Sequence, residues 1–205
     1  MIFIIFTAIF VVSYLLGSIP FGYIVVKFFT GKNIMEHGTG NVGTMNTHRT
    51  TNSKFLTFIV LFSDLFKGYL SFLLTLYTAF WFNENPVLFL ALAGFALILG
   101  HNYSIFLKFK GGKGLAAGAG FIFGFSPLLV LAWIASFLIV VAISKYMVLG
   151  QMIASLIVPI AAHFIDYNFF IITVPLSILV LIKHAPRMKN VFDGSEPKMY
   201  YKIKS

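Results

Sequence analysis

Apolar runs of bilayer-crossing length alternate with short polar connectors along most of this chain. A helical span needs about 20 mostly apolar residues. The stretches 1–26, 55–82, 87–107, 128–143, 147–164 and 169–182 read as spans on that criterion. A seventh apolar stretch, 115–123, is too short to cross unaided and carries Gly118 and Gly120, so a short helix packed among the others is expected there. The pattern predicts an all-α polytopic membrane protein with seven transmembrane helices, folded as one domain over 1–205.

Polar residues interrupt the runs at a few places. Gly17-Ser18-Ile19-Pro20-Phe21-Gly22 falls near the end of the first span. A proline there bends the helix and frees backbone groups that protein or water must satisfy; the bend serves packing or a site. Asp64 and Lys67 lie inside the second span, three apart and so on one helix face. Ionisable groups at such depth are costly and point to function. They either neutralise each other or line a polar cavity, and the cavity is favoured. The segment 27–54 is polar and contains Gly38-Thr39-Gly40-Asn41 through Asn46, Thr47, His48 and Arg49. A loop this long and this rich in Gly, Thr and Asn is floppy or a shaped binding loop, and binding is favoured. From Lys183 onward the chain is expected to be a polar, basic tail.

Composition sharpens the membrane reading. Of 205 residues 59% are hydrophobic and 10% charged, with a mean hydropathy of +0.93. Too few polar residues remain to cover a soluble domain. There is no cysteine, which excludes disulfide and thiolate chemistry. The first apolar segment lacks a basic leader and a small-residue cleavage site, so it reads as a retained span.

The net charge of +9 comes from 15 Lys+Arg against 6 Asp+Glu. Every Lys and Arg except Lys67 falls in the connectors after spans one, three and five or in the tail. The excess therefore reads as topology and not as a nucleic-acid surface. By the positive-inside rule the N-terminus lies outside and the C-terminus in the cytoplasm.

The basic connectors also carry the candidate chemistry. Gly100-His101-Asn102-Tyr103 leads into Lys108-Phe109-Lys110-Gly111-Gly112-Lys113-Gly114, three lysines and three glycines in seven residues. Glycines let the backbone present its N–H groups to an anion, and lysines add charge. A helix starting near Leu115 would aim its positive end at the same place. The alternative is a basic loop with glycines for flexibility. Hydroxyls, amides, Arg and Lys with few carboxylates suit phosphate ligands. No close His/Asp/Glu spacing suggests a metal, and no Ser-His-Asp arrangement can be read. No cofactor is expected.

These stretches, in this order, resemble the PlsY family of bacterial acyl-phosphate:glycerol-3-phosphate acyltransferases. The resemblance runs through Gly17 to Gly22, Gly38 to Arg49, Asp64 with Lys67-Gly68, Gly100-His101-Asn102, Phe109 to Gly114, and His184 through Gly194-Ser195-Glu196. It implies seven spans in a bacterial cytoplasmic membrane. It implies transfer of a fatty acyl group from acyl phosphate to the 1-hydroxyl of glycerol 3-phosphate, giving lysophosphatidic acid and phosphate. The bilayer and an enzyme that produces acyl phosphate are the implied partners.

Residue by residue, the resemblance puts Thr39, Asn41, Asn46 and Arg49 in the first loop, with Arg49 on phosphate. Lys67 adds charge to the pocket. His101, Asn102, Gly111, Gly112, Lys113 and Gly114 hold the acyl phosphate or its leaving phosphate. His184 and Glu196 close the site from the tail. An activated mixed anhydride needs no covalent enzyme intermediate, and the donor itself can take the hydroxyl proton. His184 is the candidate base if one is used; capping the last helix is its other reading.

The chain departs from the family pattern in places. Thr39 replaces a serine, Asn33 and Met35 stand where Asp and Arg are usual, and the usual Gly-Ala-Thr-Asn reads Gly43-Thr44-Met45-Asn46. Ala185, Pro186 and Arg187 follow His184, and Arg187 and Asn190 look exchanged. Acceptor identity is where these changes bear. A diverged relative with another acceptor or no turnover, and an anion or lipid transporter, are the competing readings. A transporter would place its site near the midplane, often between internal repeats; here the charged residues gather at one face.

Overall fold

The computed structural model describes residues 1–196 and Lys198. Nine α-helices and two short 3₁₀ turns make up the regular structure of the described residues. Ile2–Ser18 (α1) and Phe21–Thr30 (α2) are one apolar unit broken at Ile19-Pro20. Thr44–Thr51 (α3) is a short polar helix. Lys54–Trp81 (α4), Pro127–Ser144 (α7), Met147–Ile165 (α8) and Tyr167–Phe192 (α9) are long and apolar. Pro86–Asn102 (α5) and Leu115–Phe125 (α6) are apolar but shorter.

Local chemistry sets several of these boundaries. Asn85 accepts from the N–H of Val87, with Pro86 at the first helical position of α5. Asp166 accepts from the N–H of Asn168 and separates α8 from α9. Ser53 accepts from the N–H of Leu56 at the start of α4.

The central helix is α5, which packs against α1, α4 and α9, while α4 packs along α6 and α8 along both α7 and α9. Leu90, Ala93, Leu97 and Ile98 of α5 meet Ile5 and Ile9 of α1, Phe72 of α4, Phe121 of α6 and Leu176 of α9 in one core. Small residues permit the closest crossings, as bilayer helix packing favours. A Cβ on Gly17 would overlap the Leu97 backbone, and one on Gly100 would overlap the Tyr14 carbonyl, so α1 and α5 touch backbone to backbone. Gly68 and Gly120 make the same kind of contact between α4 and α6.

Three expectations are corrected. The third span ends at Asn102, not at 107: the chain turns at Tyr103 and forms a 3₁₀ turn over Ile105–Leu107. The segment 27–54 is not only loop, because α2 runs to Thr30 and α3 forms within it. Nor does the tail begin at Lys183. Helix α9 continues through Pro175 and Pro186 to Phe192, which puts Lys183, His184 and Arg187 on a helix. The rest of that expected tail, 197 and 199–205, lies outside the described residues. The short helix expected near Leu115 is present as α6.

Candidate active site

The polar end of the bundle is built from four pieces: the segment between α2 and α4, the chain between α5 and α6, the start of α6, and the last turns of α9 with the residues after it. Each is fixed by its own hydrogen bonds. In the first, buried Asn46 holds the turn together. Its amide NH₂ donates to the carbonyls of Ile34 (3.2 Å) and His37 (3.0 Å), and its oxygen accepts from the N–H of Thr39 (2.8 Å). Asn41 accepts from the N–H of Gly43 (2.8 Å). Thr39 is exposed, and Arg49 on α3 is partly covered, within electrostatic reach of Arg187 and Glu196. The loop is thus shaped and not floppy, and Asn46 spends its amide shaping it.

The glycine-lysine stretch wraps back over the end of α5. The N–H of Gly112 donates to the His101 carbonyl (2.9 Å). A Cβ on Gly112 would overlap the His101 ring, and one on Gly111 would overlap the His101 carbonyl. These two glycines are required by close approach. Gly114, with φ +81°, is the left-handed residue that starts α6. Next to it lies the buried side-chain oxygen of Asn102. Lys183 reaches over from α9 to donate to the Asn102 carbonyl (2.9 Å), with its ammonium 4.1 Å from the centre of the Tyr103 ring.

Arg49, Lys113 and Arg187 converge here around Glu196, with Lys183 beside Lys113. Arg187 donates to Glu196 through two guanidinium nitrogens, and Glu196 is buried. Lys113 is pushed down to about 8, first by burial and then by Arg187, Arg49 and Lys183, against which Glu196 pulls it up. Arg49 is lowered by burial and by Arg187. Burial and the neighbouring cations together disfavour the charged forms of Lys113 and Arg49.

Lys67 lies beneath the glycine turn, at the α1–α2 break. Its ammonium donates to the carbonyls of Gly17 (3.0 Å) and Ile19 (2.9 Å) and is 2.8 Å from the Asp64 carboxylate. It is buried, and its donors are spent on the two freed carbonyls of the α1–α2 break and on its ion pair. Ser104 donates to the Ser18 carbonyl between them (2.6 Å). The two residues pair across the break, and they also line a small cavity there with Ser18, Pro20, His101 and Ser104, so both sequence readings of the pair describe it. His101 adjoins the pair, with Nδ1 3.7 Å from Asp64, too long for a direct hydrogen bond.

His184 is also differently placed from a free base. It is fully buried; Nδ1 is 2.7 Å from the Val180 carbonyl and Nε2 is 3.0 Å from the Gln151 carboxamide. A carbonyl only accepts, so Nδ1 carries a proton. Nε2 faces the Gln151 side-chain amide. As packed, neither nitrogen is open to a substrate hydroxyl. Lys113 and Arg187 are within its electrostatic reach.

The expected residues therefore separate. Arg49, Lys113, Gly114, Gly111, Gly112, Asn102, Thr39 and Glu196 lie at the cationic end of the bundle. Asn41 and Asn46 shape its loop, His101 underlies its glycines, His184 packs between α9 and α8, and Lys67 pairs with Asp64 at the α1–α2 break. Lys183, Arg187 and Gln151 were missed as site residues. The signal for the first two was their position beside His184, had α9 been carried through Pro186. Gln151 is the chain's single glutamine, set within an apolar run.

An all-helical membrane bundle with a cationic, glycine-lined end defines a class, and the comparisons supply its family. The model of glycerol-3-phosphate acyltransferase matches residues 7–194, and the chain belongs to that family. Similar curated relatives, each called glycerol-3-phosphate acyltransferase, include those of Staphylococcus saprophyticus and Staphylococcus haemolyticus. Each is 36% identical over 197 residues, covering 92% of this chain and 95% of the relative.

Among solved structures the chain is similar to PlsY, an integral membrane glycerol 3-phosphate acyltransferase. The glycerol 3-phosphate form superposes with a TM-score of 0.83 at 27% identity over 94% of each chain, and the lysophosphatidic acid form with 0.82. The apolar helices and this likeness make the chain a multi-pass, all-α membrane protein.

Proposed function

We propose that this protein transfers a fatty acyl group from acyl phosphate to the 1-hydroxyl of glycerol 3-phosphate. The products are lysophosphatidic acid and inorganic phosphate. The observation that carries the reading is the meeting of Arg49, Lys113 and Arg187 around Glu196, with Lys183 beside Lys113, at the mouth of the glycine turn. Both substrates bring phosphate to that mouth, and one brings an acyl chain. An apolar cavity lined by Ile98, Leu115, Trp133, Val158, Leu176 and Val180 adjoins Gly114 and suits the chain's first carbons.

In this reading the Lys113 ammonium, the N–H groups of 111–114 and the start of α6 hold the donor phosphate. Arg49 and Arg187 hold the acceptor phosphate, with Thr39 at the rim. The glycerol oxygen adds to the acyl carbonyl carbon, and the bond from that carbon to the phosphate oxygen breaks. The hydroxyl proton leaves on the phosphate. Positioning and charge stabilisation supply the rate. His184 holds α9 in register, and no cofactor enters. Seven spans, an outside N-terminus and a site facing the cytoplasm of a bacterial membrane complete the proposal, with a donor-producing enzyme as neighbour.

The test is to give the purified protein a long-chain acyl phosphate and glycerol 3-phosphate, and to follow phosphate and lysophosphatidic acid. Both appear together if the reading is right. Phosphate without the lipid means a working donor site with another acceptor or water. Neither product from folded protein overturns the proposal.

A further inference from the structure

The turn between α5 and the glycine stretch has its outside and inside reversed for a water-facing loop. Leu107 is buried against Val26, Ile34 and Val42. Its neighbours point away: Ile105, Phe106 and Phe109 are 49%, 60% and 62% exposed. Lys108 and Lys110, between and beside them, are exposed as well. The turn is held firmly in that posture. Ser104 and Lys110 are bridged backbone to backbone (3.1 Å), the N–H of Phe109 donates to the Ser104 carbonyl (2.8 Å), and the N–H of Lys110 donates to the Leu107 carbonyl (3.1 Å). The Ser104 hydroxyl ties the whole to the α1–α2 break through the Ser18 carbonyl.

The backbone twist falls in an unexpected place. Lys108 and Phe109 both adopt left-handed conformations, φ +53° and +60°. Glycine tolerates that region freely and a bulky residue does not. Two glycines follow after Lys110, yet Gly111 and Gly112 have no positive φ. A phenylalanine is thus kept in a costly conformation with its ring outward, where a glycine would relieve the backbone. Strain of this kind is sustained where the side chain is used.

We propose that the 105–110 turn is a membrane-surface anchor that takes an anionic lipid leaflet as its partner. Ile105, Phe106 and Phe109 enter the boundary between headgroups and acyl chains, and Lys108 and Lys110 meet lipid phosphates. Rings flanked by lysines are the pattern that binds such surfaces. The turn continues directly into Gly111, so the anchor sets the depth of the glycine turn in the interface, where an amphiphilic anion arrives from the lipid side. Lys27, Phe28, Phe29 and Lys32, just beyond the Val26 that Leu107 touches, extend the same mixed surface, with both rings exposed.

The test reads position and does not depend on the acyl donor. Phe106→Trp is reconstituted in vesicles of phosphatidylcholine alone or with added phosphatidylglycerol, and its emission is taken as the difference from the parent chain, which contains Trp81 and Trp133. The expected result is blue-shifted emission, quenched by lipids brominated near the headgroup and more strongly so with phosphatidylglycerol. Adding Lys108→Gln and Lys110→Gln should remove the phosphatidylglycerol-dependent part. Phe109→Gly, which suits the backbone, should weaken quenching without unfolding the chain. Red-shifted, unquenched emission overturns the proposal. So does blue-shifted emission that no lipid quenches, which would mean that protein covers the turn. Equal quenching in both vesicle types overturns the choice of an anionic leaflet.

Discussion

Two charged clusters lie at the polar end of this bundle, and they are constructed on opposite plans. Asp64, Lys67 and His101 form a closed group. Lys67 meets one carboxylate and two backbone carbonyls, and the group is buried. Arg49, Lys113 and Arg187 lie around Glu196 with Lys183 beside Lys113, and burial, followed by the neighbouring cations, pushes Lys113 down to about 8. A cation whose donors are spent supports structure; cations left in surplus are available to a ligand. Residue type alone does not separate the two, since each cluster contains a lysine and a carboxylate. What separates them is whether the surroundings satisfy the charge.

The largest effect that would break this contrast lies in the closed cluster. Removing one member of a buried pair typically costs about 3–5 kcal/mol, so Asp64→Asn should lower thermal stability in detergent markedly. Replacing the pair by Asp64→Leu with Lys67→Met should recover only part of the loss, because removing Lys67 leaves the Gly17 and Ile19 carbonyls without their donor. Full recovery would mean that the stitch across the break contributes nothing.

In the open cluster the expected loss is catalytic. Lys113→Ala and Arg49→Ala should each reduce acyl transfer by about 10²–10³-fold, the scale for removing one transition-state donor. The melting temperature should stay near that of the parent. Full activity in both variants would end the anion-site assignment.

Gly112 joins the two clusters, since its backbone lies on the His101 ring. Gly112→Ala must displace that ring, and overpacking costs about 1–3 kcal/mol. Both stability and the KM of the phosphate substrates should worsen, whereas a variant in one cluster moves mainly one of the two.

The smallest effect is in pH. Lys113 loses its proton near pH 8 in the free protein, and a bound phosphate raises that value, so binding takes up a proton above pH 8. Affinity should therefore fall as pH rises through 8 to 10, by at most about tenfold per unit. The phosphate's own second ionisation, near 6, is already complete by then. Calorimetry with glycerol 3-phosphate in buffers of different ionisation enthalpy would measure the proton uptake. Uptake independent of pH would mean that Lys113 is not in the site.

Much of the architecture was legible from the sequence. Apolar runs gave the helices because a bilayer solvent demands them, and the brevity of 115–123 was real. The spacing of Asp64 and Lys67 announced a shared face, and they do pair. Their shared task was not legible, because the carbonyls that Lys67 satisfies belong to a helix about fifty positions earlier and are freed only by the break at Pro20. His184 showed the same limit: its type suggests a base, and only the packing of Val180 and Gln151 around it shows both nitrogens engaged.

The sequence by itself determined the membrane class, the clustering of basic residues in alternate connectors and the glycine-lysine composition of one turn. These follow from local properties: hydropathy, charge and backbone permissiveness. Tertiary structure decided that α9 runs through Pro186 and carries Lys183 and Arg187 to meet Arg49 and Lys113. It decided that Lys67 turns away from them, and that the outward ring of the 105–110 turn is a phenylalanine held left-handed. Those outcomes depend on which groups satisfy one another across distant segments, and only the packed chain brings them within reach.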